Sequence, residues 1–171
     1  MSLWLLVDFM IIRDARVSDL VQIARFFRAI VAAGETYAYP EDLDDRGIAG
    51  LWLERPPGRC VVAVRDEGAV LGSAKMGPNR PGRGSHIATA SFMVAPEAQG
   101  RGIGRALGED ALRWAREQGY LGMQFNAVVE TNVAAVHLWQ SLGFVIMTTI
   151  PEAFEHRRLG RVGLHVMYQR F

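Results

Sequence analysis

Three glycines, Gly100, Gly102 and Gly104, alternate with larger residues in QGRGIGRAL, and a helix-forming run follows them. Each glycine costs backbone entropy and packs little, so the pattern calls for a backbone that something approaches closely. A strand, a glycine loop and a helix start gather unpaired N–H groups at the positive end of a helix dipole. The chemistry this suits is the binding of an anion. Arg101 and Arg105 stand in the same loop and offer charge-assisted bonds, which makes a phosphate the natural ligand. The pattern G-x-x-x-x-G-K-[ST] is absent. G-x-G-x-x-G fails too, because Leu107 or Arg105 stands where its last glycine belongs, counted from Gly102 or Gly100.

The elements that must position this loop are legible as strands and helices in alternation. MIIRDAR reads as a first strand; Ser18 caps a helix with Leu20, Ile23, Ala24, Phe27, Ile30 and Val31 at helical spacing. GETYAYPEDLDD is a loop, followed by a short helix near RGIAGLWLE. RCVVAVR and AVLGSAKM form a hairpin through DEG, and GPNRPGRGS is a mobile connection before the strand HIATASFMV. After the glycine loop, Ile103, Leu107, Ala111, Trp114 and Ala115 share one helix face, which Gly119 ends. LGMQFNAVV is a strand, TNVAAVHLWQSLG a helix, and FVIMTTI and GLHVMYQR the last two strands. The expected architecture is a mixed sheet with helices on both sides.

The 171 residues are half hydrophobic, enough for one domain that buries roughly 70% of its unfolded surface. Nineteen Lys+Arg against eighteen Asp+Glu leave a net charge of +1, which gives no electrostatic case for nucleic acid. Cys60 is the sole cysteine, read as a core position rather than a nucleophile, and the absence of any disulfide suits a reducing cytoplasm. MSLWLLVDFMII lacks a basic start and is too short to span a bilayer, so residues 1–9 read as an extension and no membrane is expected. His86, His137, His156 and His165 show no metal-ligand spacing, and no metal is expected.

VAPEAQGRGIGRAL resembles the coenzyme A pyrophosphate loop of the GNAT superfamily of N-acetyltransferases, [Q/R]-x-x-G-x-[G/A], with Gln99, Gly102 and Gly104 at its defined positions. NVAAVHLWQSLGF resembles the second signature, N-x-x-A-x-x-L-Y-x-x-x-G-F. Asn132, Ala135, Leu138, Gly143 and Phe144 match; Trp139 replaces the tyrosine. The resemblance covers residues 10–171. It implies a single α/β (α+β) domain with a mixed, mostly antiparallel central sheet of about seven strands and helices on both faces. It also implies a cytoplasmic acetyl-CoA-dependent enzyme in which a small-molecule amine attacks the thioester directly. Pairing of two copies through the terminal strands, a homodimer, is a further implication.

The resemblance also assigns roles. The strand before the loop splays from its neighbour, and Phe92, Met93 and Val94 give backbone hydrogen bonds to the pantetheine arm, with an N–H near Met93 or Val94 polarising the acyl carbonyl. Backbone N–H groups of Gln99, Gly100, Arg101, Gly102, Ile103, Gly104 and Arg105 hold the pyrophosphate. Asn132 lies about 20° from Trp139 around the helix, so the two share a face with Ala135 between them. Asn132 contacts the pantetheine amide, caps the helix, or does both. Trp139 packs along the arm and cannot act as the acid that many relatives keep there.

Strand alternation puts Gln124, Asn126, Val128 and Glu130 on one face and Met123, Phe125, Ala127 and Val129 on the other. Asn126 orients the amine or a water, or is a buried structural amide; Glu130 is a base acting through water, or a solvated carboxylate. Glu35, Tyr37 and Tyr39, with His86 and Thr89, are candidates for the acceptor pocket, or ordinary packing. EHRRLGR touches the 3′-phosphate or is a solvated basic turn. FNAVVETN and LHVMYQR are similar to relatives that acetylate small cyclic imino acids. A peptide acetyltransferase and a non-catalytic acyl-CoA sensor are the alternative readings.

Overall fold

The run RCVVAVR holds five consecutive residues, Cys60 to Val64, that are all buried, as a strand must be when helices cover both its faces. The computed structural model describes residues 10–65 and 68–171. The extension read over residues 1–9, and Asp66 and Glu67 of the DEG turn, lie outside the described residues. In chain order the elements are β1 (Met10–Asp14), α1 (Leu20–Ala33), α2 (Asp45–Trp52), β2 (Arg59–Arg65) and β3 (Val70–Pro78). There follow β4 (Ala88–Val94), α3 (Ile103–Glu117), β5 (Gly122–Val129), α4 (Val133–Ser141), β6 (Val145–His156) and β7 (Gly160–Arg170).

Among the described residues, seven strands make one sheet in the order β1-β2-β3-β4-β5-β7-β6. Every neighbouring pair is antiparallel except β4 with β5, which is parallel. This is the mixed, mostly antiparallel sheet expected. Adjacent residues of β3 show that helices cover opposite faces. A Cβ on Gly72 would press on Ile103 and Leu107 of α3, whereas the next side chain, Ser73, accepts from Trp52 Nε1 of α2 at 2.9 Å. The apolar stripes of α1 (Ile23, Ala24, Phe27, Val31) and α3 (Ile103, Leu107, Ala111, Ala115) enter one continuous core with β2 and β3. Burial pushes the Cys60 thiol up, and its Sγ lies 3.7 Å from Ser73 Oγ, which suits a packed thiol. No helix among the described residues is long and apolar enough to cross a membrane.

Three local expectations are corrected. Ser18 is exposed, and the residue that orders the start of α1 is the buried Asp19, which accepts from Arg16 N–H at 2.7 Å and pairs with Arg13 at 2.7 Å. Asp19 makes the turn because a carboxylate accepts from the Arg13 fork and a backbone N–H at once. GPNRPGRGS is not irregular throughout. β3 runs on to Pro78, paired with Ala88, because a proline is tolerated at a strand end, and only Gly82–Gly84 form a short helical turn. β6 extends past FVIMTTI to His156, absorbing Pro151 through shifts of register against β7.

Candidate functional site

β4 and β5 share a single register pair, Ala88 with Met123, and diverge beyond it. On its other edge β4 is bonded to β3 without interruption from Val94 to Ala88, so the gap lies on one side of the strand only. The phase of that ladder follows from Ala95 N–H, which donates to Leu71 O at 2.9 Å. Alternation then turns the peptide groups of Met93 toward β3 and those of Phe92 and Val94 toward the gap. Met93, expected to donate into the gap, is thereby corrected; the side chain itself is fully enclosed in the core.

The opposite wall is irregular. β5 takes one extra residue against β7 between Phe125 and Val128, a bulge at Asn126 and Ala127. The bulge breaks the alternation read from sequence. Val128 packs against the main core, whereas Val129 is buried outside it.

The gap opens into a cavity of about 280 Å³ walled by residues from both faces of the sheet. From α4 come Ala135 and Trp139, with Asn132 at the helix entrance; from the α1–α2 loop come Thr36, Tyr37 and Tyr39. Asn132 does cap α4, its Oδ1 accepting from Ala135 N–H at 3.3 Å. Trp139 is buried, its ring 4.7 Å from Phe92 and 4.9 Å from Phe125. A Cβ on Gly108 of α3 would come within 2.9 Å of that indole, so a small residue there makes room for the ring.

At the end of β4 the chain turns through Pro96–Ala98 into the glycine loop. Gly100 and Gly102 have φ of +75° and +79°, the left-handed region that only glycine enters without strain. Gly102 caps α3 by backbone alone, and Ala106 N–H is the first to bond back, to Gly102 O at 3.0 Å. The N–H groups of Ile103, Gly104 and Arg105 therefore have no acceptor within the helix. A Cβ on Gly104 would find only ordinary contacts, Leu138 at 3.4 Å and Val94 at 3.9 Å. The packing of this chain does not require glycine there; a methyl would point at Leu138 of α4 and Val94 of β4. The arginine side chains divide: Arg105 Nη2 donates to Ser141 Oγ at 2.6 Å, while Arg101 is exposed and has no partner among the described residues.

On the other flank, the tip between β6 and β7 docks on the α1–α2 loop. Arg158 pairs with Glu35 at 2.7 Å, Arg157 with Glu41 at 2.5 Å, and Arg157 N–H donates to Gly34 O at 2.9 Å. His156 Nδ1 shapes the tip by accepting from Arg158 and Leu159 N–H. EHRRLGR is thus a largely exposed turn, as one reading of it expected, and two of its arginines, Arg157 and Arg158, answer carboxylates of the α1–α2 loop. Glu35 is engaged there and does not line the cavity, whereas Tyr37 and Tyr39 do. Tyr37 Oη accepts from Phe92 N–H at 3.0 Å and donates to Phe92 O at 2.6 Å. Burial holds the Tyr37 phenol far above the ordinary tyrosine range; Tyr39 is raised by burial and then by the charge of Glu54.

A second cavity of about 290 Å³ adjoins the first and shares Thr89, Ala90, Ser91 and Asn126 with it. Its other wall carries Glu54, Arg55 and Lys75. Lys75 Nζ donates to Leu51 O at 2.5 Å and stands 3.5 Å from Glu54. Asn126 lies between the cavities, exposed rather than buried, and held by Asn79 at 2.7 Å and Gln124 at 2.8 Å. Glu130 and His86 line neither cavity. Glu130 accepts from Gly163 N–H at 2.5 Å across the β5–β7 ladder, and His86 is exposed before β4 begins. Sequence reasoning missed Lys75 and Arg55. A lysine among the small residues of GSAKMG, on a strand buried at either side, was the signal available.

Comparison with known proteins points the same way. Residues 23–144 match the model of the Acetyltransferase (GNAT) family. The L-amino acid N-acyltransferase MnaT of Escherichia coli is 32% identical over 145 residues, 84% of either chain. A GCN5-related N-acetyltransferase from Kribbella flavida superposes with a TM-score of 0.92 at 55% identity, covering 95% of this chain and 98% of the other. The yncA protein of Salmonella typhimurium, solved with its cofactor acetyl-CoA, gives 0.83 at 25% identity, with 95% and 94% covered. Two further curated relatives match over only 46% and 14% of their own length.

Proposed function

The chain belongs to the acetyltransferase (GNAT) family, and from that premise we propose that it is an N-acetyltransferase moving acetyl from acetyl-CoA to the amine of a small amino or imino acid. The observation that carries this reading is the one-sided gap. β4 keeps its ladder to β3, parts from β5 after Ala88, and turns into the gap the peptide groups of Val94, which suit an extended ligand, and those of Phe92, which the Tyr37 hydroxyl holds. The residues fit acetyl-CoA. Unpaired N–H groups at Ile103, Gly104 and Arg105 suit its pyrophosphate, and the left-handed Gly100 and Gly102 carry no side chain beside them. Asn132 and Ala135 border its arm, with Trp139 packed alongside. What acetyl-CoA supplies is an activated acyl group, open to attack without a covalent enzyme intermediate.

The acceptor comes from the second cavity, past Asn126, which orients its nitrogen. Two cations, Arg55 and Lys75, stand there against one carboxylate, Glu54, and that excess supports an acceptor carrying a carboxylate beside its amine. The amino-acid acceptor in the name of MnaT supports the same class. The reading extends to a homodimer through β6, an edge strand with Val145, Met147 and Ile150 exposed, which sedimentation would detect as a doubled mass.

The test is thiol release from acetyl-CoA with L-methionine, L-leucine, L-proline, their decarboxylated amines and a lysine-containing peptide, beside calorimetry of acetyl-CoA alone. The reading expects tight acetyl-CoA binding and turnover that favours the acids. Turnover with the peptide alone would replace the acceptor class, and binding without turnover would leave a sensor.

A further inference from the structure

A phenol hydroxyl caps the gap-facing edge of β4. Tyr37 comes from the α1–α2 loop, 55 residues away in sequence, and both its hydrogen bonds go to the peptide groups of Phe92. Those groups face the side of β4 where β5 would pair in a continuous sheet. The ring cannot wander: it stacks on Tyr39 at 5.5 Å and 7°, meets Trp52 edge-on at 6.2 Å, and Tyr39 in turn stacks on Phe27 at 5.3 Å. What remains free is rotation of the hydroxyl hydrogen about the C–O bond. Position 139, where relatives keep a phenol, holds a tryptophan packed among Phe92, Phe125 and Phe144.

We propose that the Tyr37 hydroxyl donates a hydrogen bond to the acyl oxygen during transfer, in series with Phe92 N–H; this rests on the N-acetyltransferase reading above. The amine lone pair forms the bond to the acyl carbon, and the carbonyl pair moves onto oxygen. As that pair returns, the carbon–sulfur bond breaks and its electrons leave on the thiolate, while the surplus amine proton passes to solvent. Tyr37 neither gains nor loses a proton. Its O–H turns from Phe92 O to the acyl oxygen, while Phe92 N–H goes on donating to Tyr37 Oη. Two bonds in series polarise one another, so the phenol is a stronger donor than it would be alone. Burial keeps it protonated, which makes it a donor at every ordinary pH and a poor source of a transferred proton.

The test is Tyr37→Phe, which keeps the stacked ring and removes only the donor. We expect kcat to fall about 100-fold, the usual scale for losing one such donor, with the amine KM within about threefold. Calorimetry gives a readout apart from turnover: affinity for acetyl-CoA drops several-fold, and affinity for coenzyme A, which has no acyl oxygen, does not. A kcat within threefold of wild type overturns the proposal. So does a raised amine KM with kcat kept, or an equal loss for acetyl-CoA and coenzyme A, since Tyr37 would then be a pocket wall or a spacer. If Tyr37→Phe does not fold, 3-fluorotyrosine at position 37 keeps ring and hydroxyl. A more acidic donor should raise kcat, and an unchanged or lower kcat sinks the idea. Failure of wild type to bind acetyl-CoA would instead remove the reading on which the proposal stands.

Discussion

Two loops border the gap, and they are held in place by opposite means. The loop before α3 works through its backbone: Gly100 and Gly102 take left-handed angles, Gly102 caps the helix without a side chain, and the N–H groups of the first turn point outward. The loop between α1 and α2 works through side chains. Tyr37 reaches into the gap, Tyr39 braces it, and Glu35 and Glu41 are gripped by Arg158 and Arg157 from the far end of the chain. A backbone site tolerates changes of side chain and fails when a glycine with left-handed angles gains one. A side-chain site depends on residues that never touch the ligand.

The largest effects should come from the backbone side. A Cβ at Gly102 would meet nothing within 4 Å, so Gly102→Val harms folding only through strain at φ +79°, about 1–3 kcal/mol. Its affinity for acetyl-CoA should nonetheless fall 100-fold or more, read by calorimetry on the folded variant. Gly104→Ala is the sharper probe. Alanine gains up to about 1 kcal/mol of helix propensity over glycine, and its methyl would make only ordinary contacts with Leu138 and Val94. The melting temperature should hold or rise and acetyl-CoA affinity should stay within about threefold, because the loop pattern admits alanine here and the methyl points at Leu138 and Val94. A tenfold loss would put the ligand against that carbon, and the left-handed glycines would no longer be the whole of the backbone site.

The same contrast explains what a reader of the sequence can see. Gly100, Gly102, Asn132 and Gly143 act on backbone within three or four residues of themselves, so their spacing reveals them; Asn132 caps Ala135, three positions on. The succession of strands and helices along the chain is similarly local, since unbroken burial across β2 and helical spacing in α1 and α3 follow from residue type. Tyr37 to Phe92 spans 55 residues and Arg157 to Glu41 spans 116, and a tyrosine or an arginine looks the same in sequence whether or not such a partner exists. The bulge at Asn126 and Ala127 was hidden for another reason. Alternation assumes an unbroken ladder, and only the register against β7 reveals the extra residue.

An intermediate effect tests whether the grip on the aromatic loop matters. Both ion pairs are largely solvent-exposed, so each should contribute little to stability, and Arg157→Ala with Arg158→Ala should lower the melting temperature by only about 1–3 °C. Turnover should fall more than that suggests, about 3- to 10-fold, because Tyr37 loses its fixed approach to Phe92. Coenzyme A affinity should hold, since that ligand has no acyl oxygen for Tyr37 to meet and neither ion pair involves the glycine loop. A variant as active as wild type would show that the stacked rings alone fix the loop.

The smallest effect separates the loops by pH. The aromatic loop buries an ionisable group and the glycine loop does not. The Tyr37 phenol, raised by burial, keeps its proton in the folded chain where the unfolded chain, with an ordinary value of 10.0, has begun to lose it. The folded state then binds more protons than the unfolded one, so stability falls as pH rises above about 10. Cys60, Tyr39 and Tyr120 are raised as well and add slopes of the same sign, so the wild-type curve by itself cannot isolate Tyr37. The difference from Tyr37→Phe can. Between pH 9 and 11 the melting temperature of wild type should decline more steeply than that of the phenylalanine variant, whatever constant offset the lost bonds to Phe92 introduce. Parallel curves would mean that water reaches the hydroxyl, and a solvated phenol at that spot would leave the gap held open by the β5 bulge alone.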